Sequence, residues 1–191
     1  MRIPPLILLA SSLSLAACME AGDDASTSDT SAAAPSAAAG DAQDPGATVV
    51  MRDTAGRELG TLTLADGSGG IVVAGTLRGL PPGEHGFHVH TTGQCEPTFD
   101  AAGGHWNPTN LQHGAENPQG PHFGDMPNIT VGSDSAVSFR VTTPGGTIRG
   151  EHTLLDADGA TVMVHAGADD NRTDPSGDAG GRIACGVVSS R

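Results

Sequence analysis

Residues 86 to 90 read GFHVH, and this stretch sets the terms for both the fold and the chemistry. In an extended strand successive side chains point to opposite faces, so Phe87 and Val89 share one face while His88 and His90 share the other. The expected element is a strand with a packed side and an imidazole side. Two imidazoles on one face are either surface histidines or ligands of one metal, and the strand by itself leaves both readings open.

On either side of this stretch the pattern stays β. Thr48 to Arg52, Glu58 to Leu64 and Ile71 to Leu77 are rich in Val, Ile, Leu and Thr and are separated by the turn-prone segments DTAG and ADGSGG, a run of hairpins. Ala136 to Thr142, Thr147 to Asp156 and Thr161 to His165 read as further strands. In SAVSFRVTT, Val137, Phe139 and Val141 alternate with Ser138 and Arg140, as in a strand with one buried face. The 28 glycines, 13 prolines and 3% aromatic content favour turns and short strands over long helices. The expected fold is all-β: an antiparallel Greek-key sandwich or flattened barrel of about eight strands. Two segments, 91 to 128 and 166 to 182, read as long loops, and loops of that length in a compact domain usually carry function.

The N-terminal end is of another kind. Residues 1 to 17 combine Arg2, a short apolar run and small residues, the marks of a signal peptide too short to remain as a membrane span. The ending Leu15-Ala16-Ala17-Cys18 resembles a bacterial lipobox, which implies lipidation at Cys18; an ordinary cleaved signal is the alternative. Residues 18 to 46 contain no Val, Ile, Leu or aromatic residue and read as a disordered Ala/Ser/Asp-rich tether, leaving a domain at 47 to 191. The chain is thus expected to be exported to the periplasm or cell envelope, with a lipid as its sole hold on a membrane. In an oxidising compartment Cys95 and Cys185 are expected to form a disulfide. The net charge of −13 argues against a nucleic-acid partner.

The eight histidines lie at 85, 88, 90, 105, 113, 122, 152 and 165. His105, His113 and His122 occupy the first long loop and Asp125 follows them, a nitrogen and oxygen set that suits tetrahedral zinc. His88, His90 and His165 sit on strands and form the imidazole-rich kind of set that copper favours.

Five stretches then carry a family resemblance: GFHVH, GGHWNP at 103 to 108, PHFGDMPN at 121 to 128, VHAGADD at 164 to 170 and GGRIACGV at 180 to 187. In this order, and across residues 47 to 191, they resemble the copper/zinc superoxide dismutases. The resemblance implies one copper per subunit held by His88, His90, His105 and His165, and one zinc held by His105, His113, His122 and Asp125, with His105 shared. It implies that Asp169 joins the two metal sites through hydrogen bonds and that Arg182 orients the anionic substrate. The Cys95 to Cys185 bond would tie the first long loop to the barrel. His85 and His152 fall at positions that bind no metal in the family. The implied activity is antioxidant: dismutation of superoxide to dioxygen and hydrogen peroxide by a redox-cycling copper. A metal buffer that has kept the fold is the rival reading, although relatives of that kind usually lack a ligand or the arginine. Dimers and monomers both occur in the family, so a homodimer stays open. All nine basic residues are arginines, and only Arg172 and Arg182 fall in the second long loop, so any steering of the anion would rest on arginine.

Overall fold

The computed structural model describes Gly46 to Ser190. The expected signal peptide, the lipidation site Cys18 and all but the last residue of the tether lie outside the described residues. Eight strands follow: β1 Ala47–Asp53, β2 Glu58–Gly67, β3 Gly70–Arg78, β4 Gly83–His90, β5 Asp125–Val131, β6 Ala136–Thr142, β7 Thr161–His165 and β8 Arg182–Ser190. They form one antiparallel sheet in the order β5-β4-β7-β8-β1-β2-β3-β6. Its two edges, β5 and β6, lie side by side without a ladder, so the sheet rolls into a nearly closed barrel. After β3 the chain leaves to build β4 and β5, then returns with β6 beside β3, which is a Greek-key path.

Local chemistry explains the simple parts of this path. At the β1–β2 turn, Asp53 Oδ1 accepts the backbone N–H groups of Ala55 at 3.0 Å and Arg57 at 2.9 Å, while Gly56 supplies the left-handed φ of 77°. Val49, Met51, Leu62, Leu64, Val73 and Phe87 are buried inside the barrel. Phe139 of β6 meets Phe87 edge-on at 5.0 Å between ring centroids, so the alternation of β6 turns its apolar face inward as expected.

Two strands went unread in the sequence and one was misplaced. β5 falls partly inside the stretch read as loop, because Pro127 interrupts its pattern; the edge position tolerates a residue that cannot donate to a ladder. β8 carries RIACGV, whose small residues and lone arginine give no alternation. The expected strand Thr147 to Asp156 is instead a compact loop with a single isolated bridge, Thr147 to Thr153. Its backbone bonds close locally, from Leu154 N–H to the Thr147 carbonyl at 2.8 Å, and its buried Ile148 and Leu154 join the core. Left-handed φ at His152, 47°, is incompatible with a continuous strand.

The disulfide between Cys95 and Cys185 is present and joins the loop after β4 to β8. Cys185 is buried with Ala102 and Met163, and Phe99 packs on this small cluster, so the bond anchors a loop that has an apolar footing of its own.

Candidate metal centre

The strand that opened the sequence reading is buried on both faces. Phe87 and Val89 point into the barrel, and His88 and His90 point outward, yet both histidines are at most 1% exposed. The long loops 91 to 124 and 166 to 181 roof the imidazole side.

The path of the first loop explains how His105 reaches that side. β5 begins at Asp125, opposite His88, so beyond that point β5 no longer occupies the edge of β4. The loop takes it over: Trp106 N–H donates to the Val89 carbonyl at 2.8 Å, Val89 N–H to Gly124 at 2.9 Å, and Thr91 N–H to Gly104 at 3.0 Å. These bonds set His105 beside His90. On the other flank, a bulge between Val164 and His165 in the β7–β8 ladder re-aims His165 toward the same spot.

Two four-residue sets result, each with its ligand atoms within 4.8 Å of one another: His88, His90, His105 and His165, and His105, His113, His122 and Asp125. All seven residues are buried. In the first set, His88 Nδ1, His90 Nε2, His105 Nε2 and His165 Nε2 are buried without a hydrogen-bond partner. Buried polar atoms are rarely left so, and four convergent imidazole lone pairs fit a copper ion. In the second set, Asp125 Oδ1 lies 2.8 Å from His105 Nδ1, 3.0 Å from His113 Nδ1 and 3.2 Å from His122 Nδ1, a cluster of three nitrogens and one oxygen that fits zinc. His105 faces the first set with Nε2 and the second with Nδ1.

The outer ring nitrogens are held in turn. Asp169 accepts from His88 Nε2 at 2.6 Å through Oδ2 and from His113 Nε2 at 3.0 Å through Oδ1, so one carboxylate spans both sets. His90 Nδ1 donates to the Gly103 carbonyl at 2.9 Å and His165 Nδ1 to the Gly180 carbonyl at 3.1 Å. Asp169 is fixed by Asn128 of β5, whose side chain donates to the Asp169 carbonyl and accepts the Asp169 N–H, both at 2.9 Å. Gly177 packs on the same carboxylate with a φ of 63°, and a side chain there would come within 2.7 Å of His113 Nε2. Neither Asn128 nor Gly177 was singled out by sequence; their partners are distant in the chain, and no local pattern marks them.

Burial lowers the pKa of His90 to about 2, that of His88 to about 3 and that of His165 to about 4, with mutual repulsion among the imidazoles adding to the effect. His113 goes the other way. Burial opposes its charged form, but hydrogen bonds to Asp125 and Asp169 outweigh it and raise the pKa to about 9. Asp125 and Asp169 stay well below the usual carboxylate range despite burial, because histidines donate to both.

A cavity of 540 Å³ opens onto His90, His105 and His165 and is lined by Arg182. The Arg182 guanidinium donates to the carbonyls of Phe99 and Gly103, both at 2.6 Å, which fixes it at the wall. Arg172, by contrast, pairs with Glu116 in the open and does not line this cavity. His85 is buried between the carbonyls of His165 at 2.8 Å and Pro81 at 2.9 Å, and His152 packs its ring on Phe123; neither joins a ligand set.

Comparison with known proteins agrees with this geometry. The family model for copper/zinc superoxide dismutase matches residues 59 to 188. "Superoxide dismutase [Cu-Zn] 2" of Aquifex aeolicus is 43% identical over 150 residues, covering 76% of this chain and 88% of that protein. The crystal structure of a SOD-like protein from Bacillus subtilis superposes with a TM-score of 0.70 at 35% identity, covering 73% of this chain and 96% of that one. The Cu/Zn superoxide dismutase from Brucella abortus gives a TM-score of 0.60 at 34% identity, covering 74% and 98%.

Proposed function

The chain belongs to the copper/zinc superoxide dismutase family, enzymes that act on superoxide with copper and zinc, and from this premise we propose how its own residues perform the reaction. His88, His90, His105 and His165 would hold copper, and His105, His113, His122 and Asp125 would hold zinc, with His105 common to both sets. Copper, when bound, supplies one-electron oxidation and reduction. The overall change converts two superoxide anions and two protons to one dioxygen and one hydrogen peroxide.

The protein contributes position and protons. Superoxide enters the cavity and is oriented by the N–H groups of Arg182, whose carbonyl anchors keep the guanidinium from swinging away. His105 keeps Nδ1 in the zinc set and turns Nε2 to the copper set beside the cavity, so Nε2, when it is free of the metal, would be the atom that takes up a proton and delivers it to peroxide. Asp169 holds His88 and His113 in fixed orientation, coupling the geometry of the two sets.

The observation that carries this reading is the set of four buried, unpartnered imidazole nitrogens beside a cavity with an immobilised arginine. The decisive experiment measures dismutase activity and metal content together on wild type and His105→Ala. Wild type is expected to hold both metals and be active; the variant is expected to lose activity and to retain less of both. Wild type that binds copper and zinc but shows no superoxide-dependent activity would make the protein a metal buffer.

We place the enzyme in the cell envelope, exported by residues 1 to 17 and anchored through lipid on Cys18, with the tether to 46 setting the domain at 47 to 191 away from the membrane. The disulfide supports an oxidising compartment. Incorporation of labelled palmitate by wild type and not by Cys18→Ser is the expected result.

A further inference from the structure

The six clustered histidines differ in what holds the ring nitrogen that faces away from the metal. His88 and His113 reach Asp169, His90 reaches the Gly103 carbonyl and His165 the Gly180 carbonyl, all within hydrogen-bond distance. His105 uses both nitrogens inward. His122 is the sixth: its Nδ1 belongs to the zinc set, and its Nε2 faces the carboxylate of Asp174, with Oδ1 at 3.8 Å. The same oxygen accepts the backbone N–H of His113 at 2.7 Å, a contact made across 61 residues. One carboxylate oxygen from the second long loop therefore addresses two of the three zinc-side histidines, one by a main-chain hydrogen bond and the other by charge.

We propose that Asp174 is a positioning residue for the zinc half, anchoring the second loop to His113 and supplying the outer negative charge for His122. The proposal rests on the zinc ligand set assigned above. An imidazole that binds metal through Nδ1 carries its proton on Nε2, and a carboxylate facing that N–H fixes the tautomer and strengthens the ligand. No other carboxylate lies within ion-pair distance of His122 Nε2 among the described residues. Asp174 also lines the cavity together with Pro175 and Ser176, so the contact that steadies the zinc loop shapes the wall through which the anion arrives. Its side chain is 48% exposed, so solvent weakens the charge and places the expected effect at the low end for an outer partner.

The test uses the full-length, copper- and zinc-loaded protein as wild type, Asp174→Asn and Asp174→Ala. Release of each metal is measured separately by titration with graded chelators. Asp174→Asn keeps an oxygen for the His113 N–H and removes the charge; its zinc affinity is expected to fall about tenfold while copper affinity stays within about twofold. Asp174→Ala also loses the acceptor and is expected to release zinc more readily still. Unchanged zinc affinity in both variants overturns the proposal. So does a loss confined to Asp174→Ala, which removes the charge role at His122, and so does parallel loss of both metals, which marks a general loosening of the loops. A wild type that holds no zinc overturns the ligand assignment itself, and is told apart from these outcomes because no variant is needed to see it.

Discussion

The proposed copper half and the proposed zinc half share His105 but balance charge in opposite ways. The copper half is all imidazole, and burial suppresses protonation of His88, His90 and His165 to pKa values of about 3, 2 and 4. Its inward nitrogens have no partner of their own. The zinc half contains Asp125, and that carboxylate accepts from His105 and His113, leaves only His122 Nδ1 without a hydrogen-bond partner, and helps to raise the pKa of His113 to about 9. One half is a set of neutral donors suited to a cation; the other carries an internal counterion. A buried cluster of like groups thus depends on its ion, whereas a mixed cluster holds its shape through hydrogen bonds among its members.

The comparison breaks most completely with Asp125→Asn, which removes both a proposed zinc ligand and the counterion. Zinc retention is expected to be lost while copper still binds, as metal analysis after dialysis will read. Asp169→Asn comes next. The amide can accept through one oxygen only, so either His88 or His113 loses its outer acceptor, and affinity is expected to fall about 10- to 100-fold at the half that loses it. Chelator competition tells which half that is.

A smaller effect separates the halves without mutation. His88, His90 and His165 have folded pKa values below the unfolded value of 6.5, so between about pH 4 and 6.5 the unfolded chain binds more protons and stability of the metal-free protein rises with pH. His113 acts in the opposite sense: its contribution is fully present below pH 6.5 and is lost as pH rises through about 9. Denaturant midpoints of metal-free protein should therefore fall on both sides of a plateau, the acid limb reporting the copper half and the alkaline limb the zinc half. Loading with both metals should flatten both limbs. The least effect belongs to Arg172→Gln. Arg172 is an exposed partner of Glu116, a pairing worth less than ~1 kcal/mol, and stopped-flow rates are expected to stay within about twofold of wild type.

Much of this was legible before the structure. Six of the seven proposed ligand residues, with Asp169 and Arg182, stand in the five motifs, while His113 lies between two of them; the alternation in β6 gave its buried face directly. What escaped notice follows a physical pattern. β5 was hidden by Pro127, which an edge strand accommodates at the bulge in its ladder with β4. Residues 147 to 156 have strand-like composition, but Ile148 and Leu154 are buried from a loop whose backbone bonds close on themselves. Asn128 and Asp174 act across 41 and 61 residues, and a side chain's remote partner leaves no trace in its neighbours.

The handover along β4, where β5 ends its pairing and the loop around His105 begins, also bears on how the two sites assemble. His88 and Asp169 meet across 81 residues, and His105 finds its place only after an edge of β4 exists to receive it. Topologies dominated by such distant pairings assemble slowly, because loop closure must precede the contacts that reward it. The two candidate metal sites are thus products of the finished barrel: their side chains come together through pairings that span most of the domain, and no short segment of the chain carries either set by itself.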